Sequence, residues 1–204
     1  MSKTRIEELL DAANSSEDAD TSVTSTSRTF SNESEANRFY DDLCDRLLRV
    51  SEWNKNSSVT GYEIFGKGEH DGVIGVDSFI RIKLYGSGKA DWVRVLSITR
   101  DGNEMVMTVK PSFDPTEDPV DKSTTSHFFG PEATNNFCAQ RDDRRITMYV
   151  IGLNEKQNTK FTDSLIESAR NAAVANIGYY SGLQKTVWKQ FCKNFVEPDE
   201  EDAA

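Results

Sequence analysis

Apolar residues recur along this chain with two different periods, and the switch between them lays out the architecture. After Phe161 they fall at Leu165, Ile166, Ala169, Ala172, Ala173, Ile177 and Tyr180, steps of three and four that place them on one stripe of a helix. Asp163, Glu167, Ser168, Arg170 and Asn171 occupy the opposite face. The alanines combine high helix propensity with small volume, so such a helix can approach a sheet closely. At ~1.5 Å per residue, Phe161 to Ile177 spans roughly 25 Å, enough to cross several strands. Gly178 and Gly182 bracket Tyr179-Tyr180-Ser181 and predict a break, each glycine weakening a helix interior by about 1 kcal/mol. Ser181 then caps a second helical stripe of Leu183, Val187, Trp188, Phe191 and Phe195.

Near the N-terminus, Ile6, Leu9, Leu10 and Ala13 mark one side of a short helix over 3–13, marginal in isolation. It docks or frays, and a polar, acidic linker follows from Asn14 to Asp20. Ser22 to Phe30 alternates as a strand. Asn32, three residues before Glu35, makes a variant of the capping box. Ala36, Phe39, Tyr40, Leu43, Leu47 and Val50 then carry a helical stripe down to Trp53.

Beyond Asn54 the period becomes two. Val59–Phe65, Ser78–Leu84, Trp92–Thr99, the run through Met105, Met107 and Val109, and Arg145–Leu153 read as strands. Ser126–Phe129 and Thr134–Gln140 read as one interrupted strand bent at Gly130-Pro131. Asp101-Gly102-Asn103 is a tight turn, and Pro111 to Asp121 a loop of about ten residues. Short connections force antiparallel neighbours. The predicted fold is therefore α+β, a curved antiparallel sheet of about seven strands wrapped around a long C-terminal helix. It occupies residues 22–196, preceded by the short helix and linker of 1–21 and followed by an acidic, disordered tail at 197–204.

Charge changes this picture little once it is located. The net charge is −10 over 204 residues. Residues 1–27 hold six acidic and two basic side chains and residues 196–204 hold five acids, which leaves 22 basic and 23 acidic residues in between. A nearly neutral body with acidic ends lacks the clustered positive charge that displaces counterions from phosphates, so no nucleic-acid partner is expected. Cys44, Cys138 and Cys192 show no paired spacing, and no apolar stretch follows Met1. A reducing cytoplasm is the expected location, and the sequons at Asn14, Asn32 and Asn56 are then incidental. No run approaches the ~18 apolar residues of a membrane span.

The candidate chemistry is sparse. Gly86-Ser87-Gly88-Lys89 lacks the spacing, the following hydroxyl and the strand-to-helix setting of a Walker loop, and reads as a hairpin turn. His70 and His127 are the only histidines, with His70 in an exposed turn, so no metal cluster can be assembled and no cofactor is called for. His127, at the start of His127-Phe128-Phe129, is the one candidate general base. Arg81 and Lys83 alternate with isoleucines, and Asp91-Trp92-Val93-Arg94-Val95 repeats the theme in the next strand. On the outer face Arg81 and Arg94 solubilise the sheet. On the inner face they would mark a site for an anionic head group, with Trp92, Phe79 and Tyr149 on the same wall.

The order of elements resembles the helix-grip fold of the START-like (SRPBCC) superfamily, which includes polyketide cyclases, lipid-transfer domains and pollen-allergen proteins. The resemblance covers roughly Ser22 to Phe195: first strand, Leu-rich Ser34–Val50 helix ending at Ser51-Glu52-Trp53-Asn54, meander and closing helix. A break in the closing segment and an extra N-terminal helix depart from the usual pattern. The resemblance implies a cavity between sheet and terminal helix for a small hydrophobic or amphipathic molecule. The residues expected to line it are Tyr62, Phe79, Arg81, Trp92, Arg94, Met107, His127, Phe137, Tyr149 and Tyr180. Two other readings stand beside this one: a cyclase or dehydratase using His127 with Tyr149 or Glu132, and an interaction module with a packed core and contact points at Ile6–Ala13 and the acidic tail. Both pocket readings require a partly polar space of a few hundred Å³.

Overall fold

The computed structural model describes residues 3–16, 20–55, 57, 60–84, 90–159 and 177–197, with the side chains of 84 and 177–185 outside that description. The stripe beginning at Phe161 lies outside the described residues as far as residue 176.

Seven strands form one antiparallel sheet in the order β1-β7-β6-β5-β4-β3-β2. They are β1 (Ser22–Thr29), β2 (Thr60–Phe65), β3 (Phe79–Leu84), β4 (Ala90–Asp101), β5 (Glu104–Pro111), β6 (Thr134–Asp142) and β7 (Arg145–Leu153). Six of them run as a meander because each connection joins neighbours. The first strand pairs with the last, so β1 and β2 form opposite edges. The chain between them must cross the sheet, and helices α2 (Glu33–Leu47) and α3 (Val50–Asn54) make that crossing. Gly102 takes φ +55° in the tight turn from β4 to β5, a conformation that suits glycine.

Alternation gives the sheet two faces of different character. The concave face carries Ile80, Val95, Met107, Phe137 and Met148, packed beneath Leu43 and Leu47 of α2. The closing helix α4 (Ile177–Val196) adds Phe191 and Phe195 to this core and packs against β1, β7 and α2. The convex face carries a smaller cluster. Ile6, Leu9 and Ala13 of helix α1 (Arg5–Ser15) rest there on Val106, Cys138 and Ile151. A capping box closes the start of α1, with the Glu7 N–H donating to Thr4 Oγ1 (3.3 Å) and the Thr4 N–H to Glu7 Oε2 (2.9 Å). A helix too short to persist alone is held by this burial.

Three local expectations need correction. The helical stripe expected to reach Trp53 unbroken is interrupted after Leu47, because the loop at residues 72–74 takes the backbone there. Val50 donates its N–H to Gly72 O, and Ile74 donates to Leu48 O. Ser126–Phe129 is not a strand, since the Trp92 N–H donates to Ser126 O and holds the segment as a strap across the end of β4. Finally, α4 runs through Gly178 and Gly182 without the expected break. The propensity cost of two glycines, about 1 kcal/mol each, is outweighed by packing of the helix on the sheet.

Candidate functional site

Where α3, α4 and the β2–β6 part of the concave face meet, the core is not filled. A cavity of about 80 Å³ remains, walled by Trp53 of α3, Tyr62, Val93, Val109 and Phe137 of the sheet, and Val187 and Trp188 of α4. Trp53 is the keystone. Its Nε1–H donates to Leu47 O (2.9 Å), fixing the ring just after the interruption that separates α3 from α2. The ring then meets Tyr62 edge-on (centroids 5.3 Å), Phe137 (4.8 Å) and Phe191 (5.1 Å). Trp188 stands nearly perpendicular to Phe137 at 5.4 Å and completes the aromatic wall. Edge-to-face contacts hold rings apart as well as together, so this cluster resists collapse into the space.

The polar groups enter from the other side, at the strap of residues 126–129. Asp91 shares the concave parity of Val93 and lies opposite Ile82 in the β3–β4 ladder. The Phe128 N–H donates to its carboxyl, and burial pushes the carboxyl pKa up to about 7. His127 is 5% exposed. Its Nδ1 accepts the Phe129 N–H at 2.9 Å, and burial drives its pKa down to about 3. An Nδ1 that accepts a hydrogen bond carries no proton, so the neutral ring is the Nε2–H tautomer.

Two further polar walls are tied back into the protein. Asn135 donates through Nδ2 to Glu155 Oε1 (2.8 Å), and Glu155 also accepts from Ser22 Oγ (2.7 Å). Gly152, register partner of both Ser22 and Asn135, makes this link possible, since a Cβ there would lie 2.2 Å from the Glu155 carboxyl carbon. Thr60 Oγ1 donates to the Tyr62 hydroxyl (3.2 Å). Burial raises the Tyr62 phenol to about 12, so it keeps its proton.

Of the residues expected to line a pocket, Tyr62, His127 and Phe137 lie around this cavity. Met107 is on the same face but fully buried in the core beside it. Phe79, Arg81, Trp92 and Arg94 do share one face of the sheet, but it is the convex one. There the Arg81 guanidinium lies 5.8 Å from the Trp92 ring and Arg94 lies 5.9 Å from Phe79. Glu63 accepts from Arg81 (3.5 Å) and Lys83 (2.5 Å), and Asp77 accepts from Arg94 (2.7 Å). Partly open to water, paired charges cost far less here than in the concave core. Tyr149 is convex as well, beneath α1, and donates its hydroxyl to Gln140 Oε1. The side chain of Tyr180 lies outside the described residues.

The combination of His127 with Tyr149 or Glu132 is not assembled, because Tyr149 is on the far face and Glu132 is exposed. His127 is also poorly suited to act as a base. Its Nδ1 is held by a backbone donor and its Nε2 already carries the proton. Asp91 was the residue that the strand pattern hid in plain sight, a lone acid on the same parity as Val93. Trp53 and Trp188 end or sit on helical stripes that signal packing, and no local signal marks Asn135.

No protein-family model matches the chain, and no curated protein matches it. Solved structures do share its course. A hypothetical protein from Helicobacter pylori superposes with a TM-score of 0.51 at 7% identity, covering 86% of each chain. A norcoclaurine synthase point mutant from Thalictrum flavum gives 0.39 at 7% identity, over 85% of this chain and 95% of its own. Ara h 8.0201 gives 0.41 at 9% identity, over 86% and 95%. The first supports the fold alone, and the other two superpose too loosely to weigh further. Together with the strand order and the closing helix, this is the α+β architecture of a helix-grip fold, as expected. Among the described residues no helix is long and apolar enough to cross a membrane.

Proposed function

We propose that this protein binds a small hydrophobic or amphipathic molecule in the cavity between the sheet and α4. One observation carries the reading: a largely apolar cavity is lined by a carboxyl, Asp91, which among the described residues meets a backbone amide and no cation. A core selected for packing alone would fill the space with a larger side chain and omit the charge. At about 80 Å³ the cavity is smaller than the few hundred Å³ expected, and smaller than the ~150 Å³ that accommodates benzene in an apolar core. The ligand is therefore compact, or it enters with a shift of α4 that widens the wall at Val187 and Trp188. Three unpaired, buried cysteines support a cytoplasmic setting.

The test is native mass spectrometry of freshly purified protein against its denatured mass. Added mass that vanishes on denaturation, and that is absent from a Val109→Phe variant with the cavity filled, is the expected result. A clean apo mass in both proteins, with no thermal shift from any small apolar probe, defeats the reading.

A further inference from the structure

The concave and convex faces of β3 and β4 treat charge in opposite ways, and the difference defines what the cavity lacks. On the convex face Glu63 and Asp77 are each met by arginine or lysine. Asp91, on the concave face of the same ladder, has the Phe128 N–H and, among the described residues, no charged neighbour. Among the described residues no lysine or arginine lines the cavity. The His127 ring cannot take the part of a cation, because protonating Nδ1 would forfeit the hydrogen bond from Phe129 and place a charge in a buried site. The other polar groups of the wall are neutral: the Tyr62 and Thr60 hydroxyls, Asn135, and the buried Trp188 Nε1–H, which has no partner among the described residues.

We propose that the cavity selects a compact organic ammonium, a short alkyl amine whose cationic head seats against the Asp91 carboxylate and whose carbon body lies among Trp53, Val93, Phe137 and Trp188. This rests on the cavity reading above and gives it a ligand class. An ammonium supplies the one group the protein withholds: a positive charge with several N–H donors, delivered to an acceptor in an apolar enclosure where such a pair is strong. The aromatic walls favour the same guest, since ring faces attract cations. Binding must also depend on pH. Among the described residues Asp91 is the single group in the cavity that changes charge near neutrality, because His127 stays neutral and Tyr62 stays protonated there. Below about pH 7 the carboxyl is protonated and the ammonium loses its partner, and at higher pH the site is charged while the amine still holds its proton.

The experiment compares n-butylammonium chloride with 1-butanol, equal in heavy atoms, by NMR titration of the wild-type protein at pH 8.0 and pH 5.5. It repeats the comparison on Asp91→Asn, which keeps the shape and removes the charge. The expected result is at least a tenfold preference for the amine at pH 8.0, a drop of about tenfold in its affinity at pH 5.5, and parity of the two probes in the variant. Equal binding of both probes by the wild type, or tighter binding of butanol at both pH values, overturns the ammonium proposal and leaves the cavity reading standing. No binding of either probe overturns both. The wild-type comparison decides even if Asp91→Asn fails to fold.

Discussion

The two faces of the sheet are built from the same alternating strands, yet they handle polar side chains by opposite rules. On the convex face the arginines of β3 and β4 lie over aromatic rings with their heads partly in water and each facing an acid. Mobility and solvent make those groups cheap to keep. Around the concave cavity, among the described residues, one acid and one imidazole are each met by a backbone N–H of the 126–129 strap and each driven toward its neutral form. The lesson is that the count of charges near a sheet says little about function. What marks a site is a charge on the wrong side of the alternation, held without a partner.

The largest expected effect is on the concave wall. Trp53→Ala removes the ring that meets Tyr62, Phe137 and Phe191, and leaves a void continuous with the cavity. A loss of about 3–5 kcal/mol in urea unfolding is expected. A loss under 1 kcal/mol would mean that the aromatic wall does not hold the cavity open.

The titration of the two enclosed groups sharpens the comparison. Asp91 has a folded pKa of about 7, raised above its unfolded value, so the folded state holds the extra proton between about pH 4 and 7 and stability falls as pH rises through that window. His127 has a folded pKa of about 3, below its unfolded value, so its contribution is present above about pH 6.5 and is lost as pH falls toward 3. In the wild type the two slopes oppose each other between about pH 4 and 6.5. Asp91→Asn should unmask a stability that rises with pH, and His127→Asn, which keeps an acceptor near the Nδ1 position, one that falls from pH 4 to 7. Each change is on the order of 4 kcal/mol across its full window, read as urea midpoints at several pH values. Parallel curves for all three proteins would show that neither group is enclosed.

The smallest effect is expected on the convex face. Arg81→Ala breaks a partly exposed ion pair and uncovers part of Trp92, at a cost of about 0.5–1 kcal/mol with no change in ligand binding. A variant that lost binding would move the site to the other side of the sheet.

Much of this was legible beforehand, and the residues show why. Local signals placed β1, the Asn32 cap, whose side chain accepts the Glu35 N–H at 3.0 Å, and the turn at Gly102. Nothing local announced that the backbone at Leu48–Val50 would bind the loop at 72–74, or that α4 would tolerate Gly178 and Gly182, because both depend on partners distant in sequence. The site divides along the same line. The period of two determined, from sequence alone, that Phe79 and Arg81 share a face within β3 and that Trp92 and Arg94 share one within β4, opposite Asp91 and Val93; the register that joins the two pairs belongs to the structure. Which face is enclosed was decided only by where α2, α3 and α4 pack. Alternation fixes relative orientation along a strand, whereas inside and outside are properties of what covers the sheet.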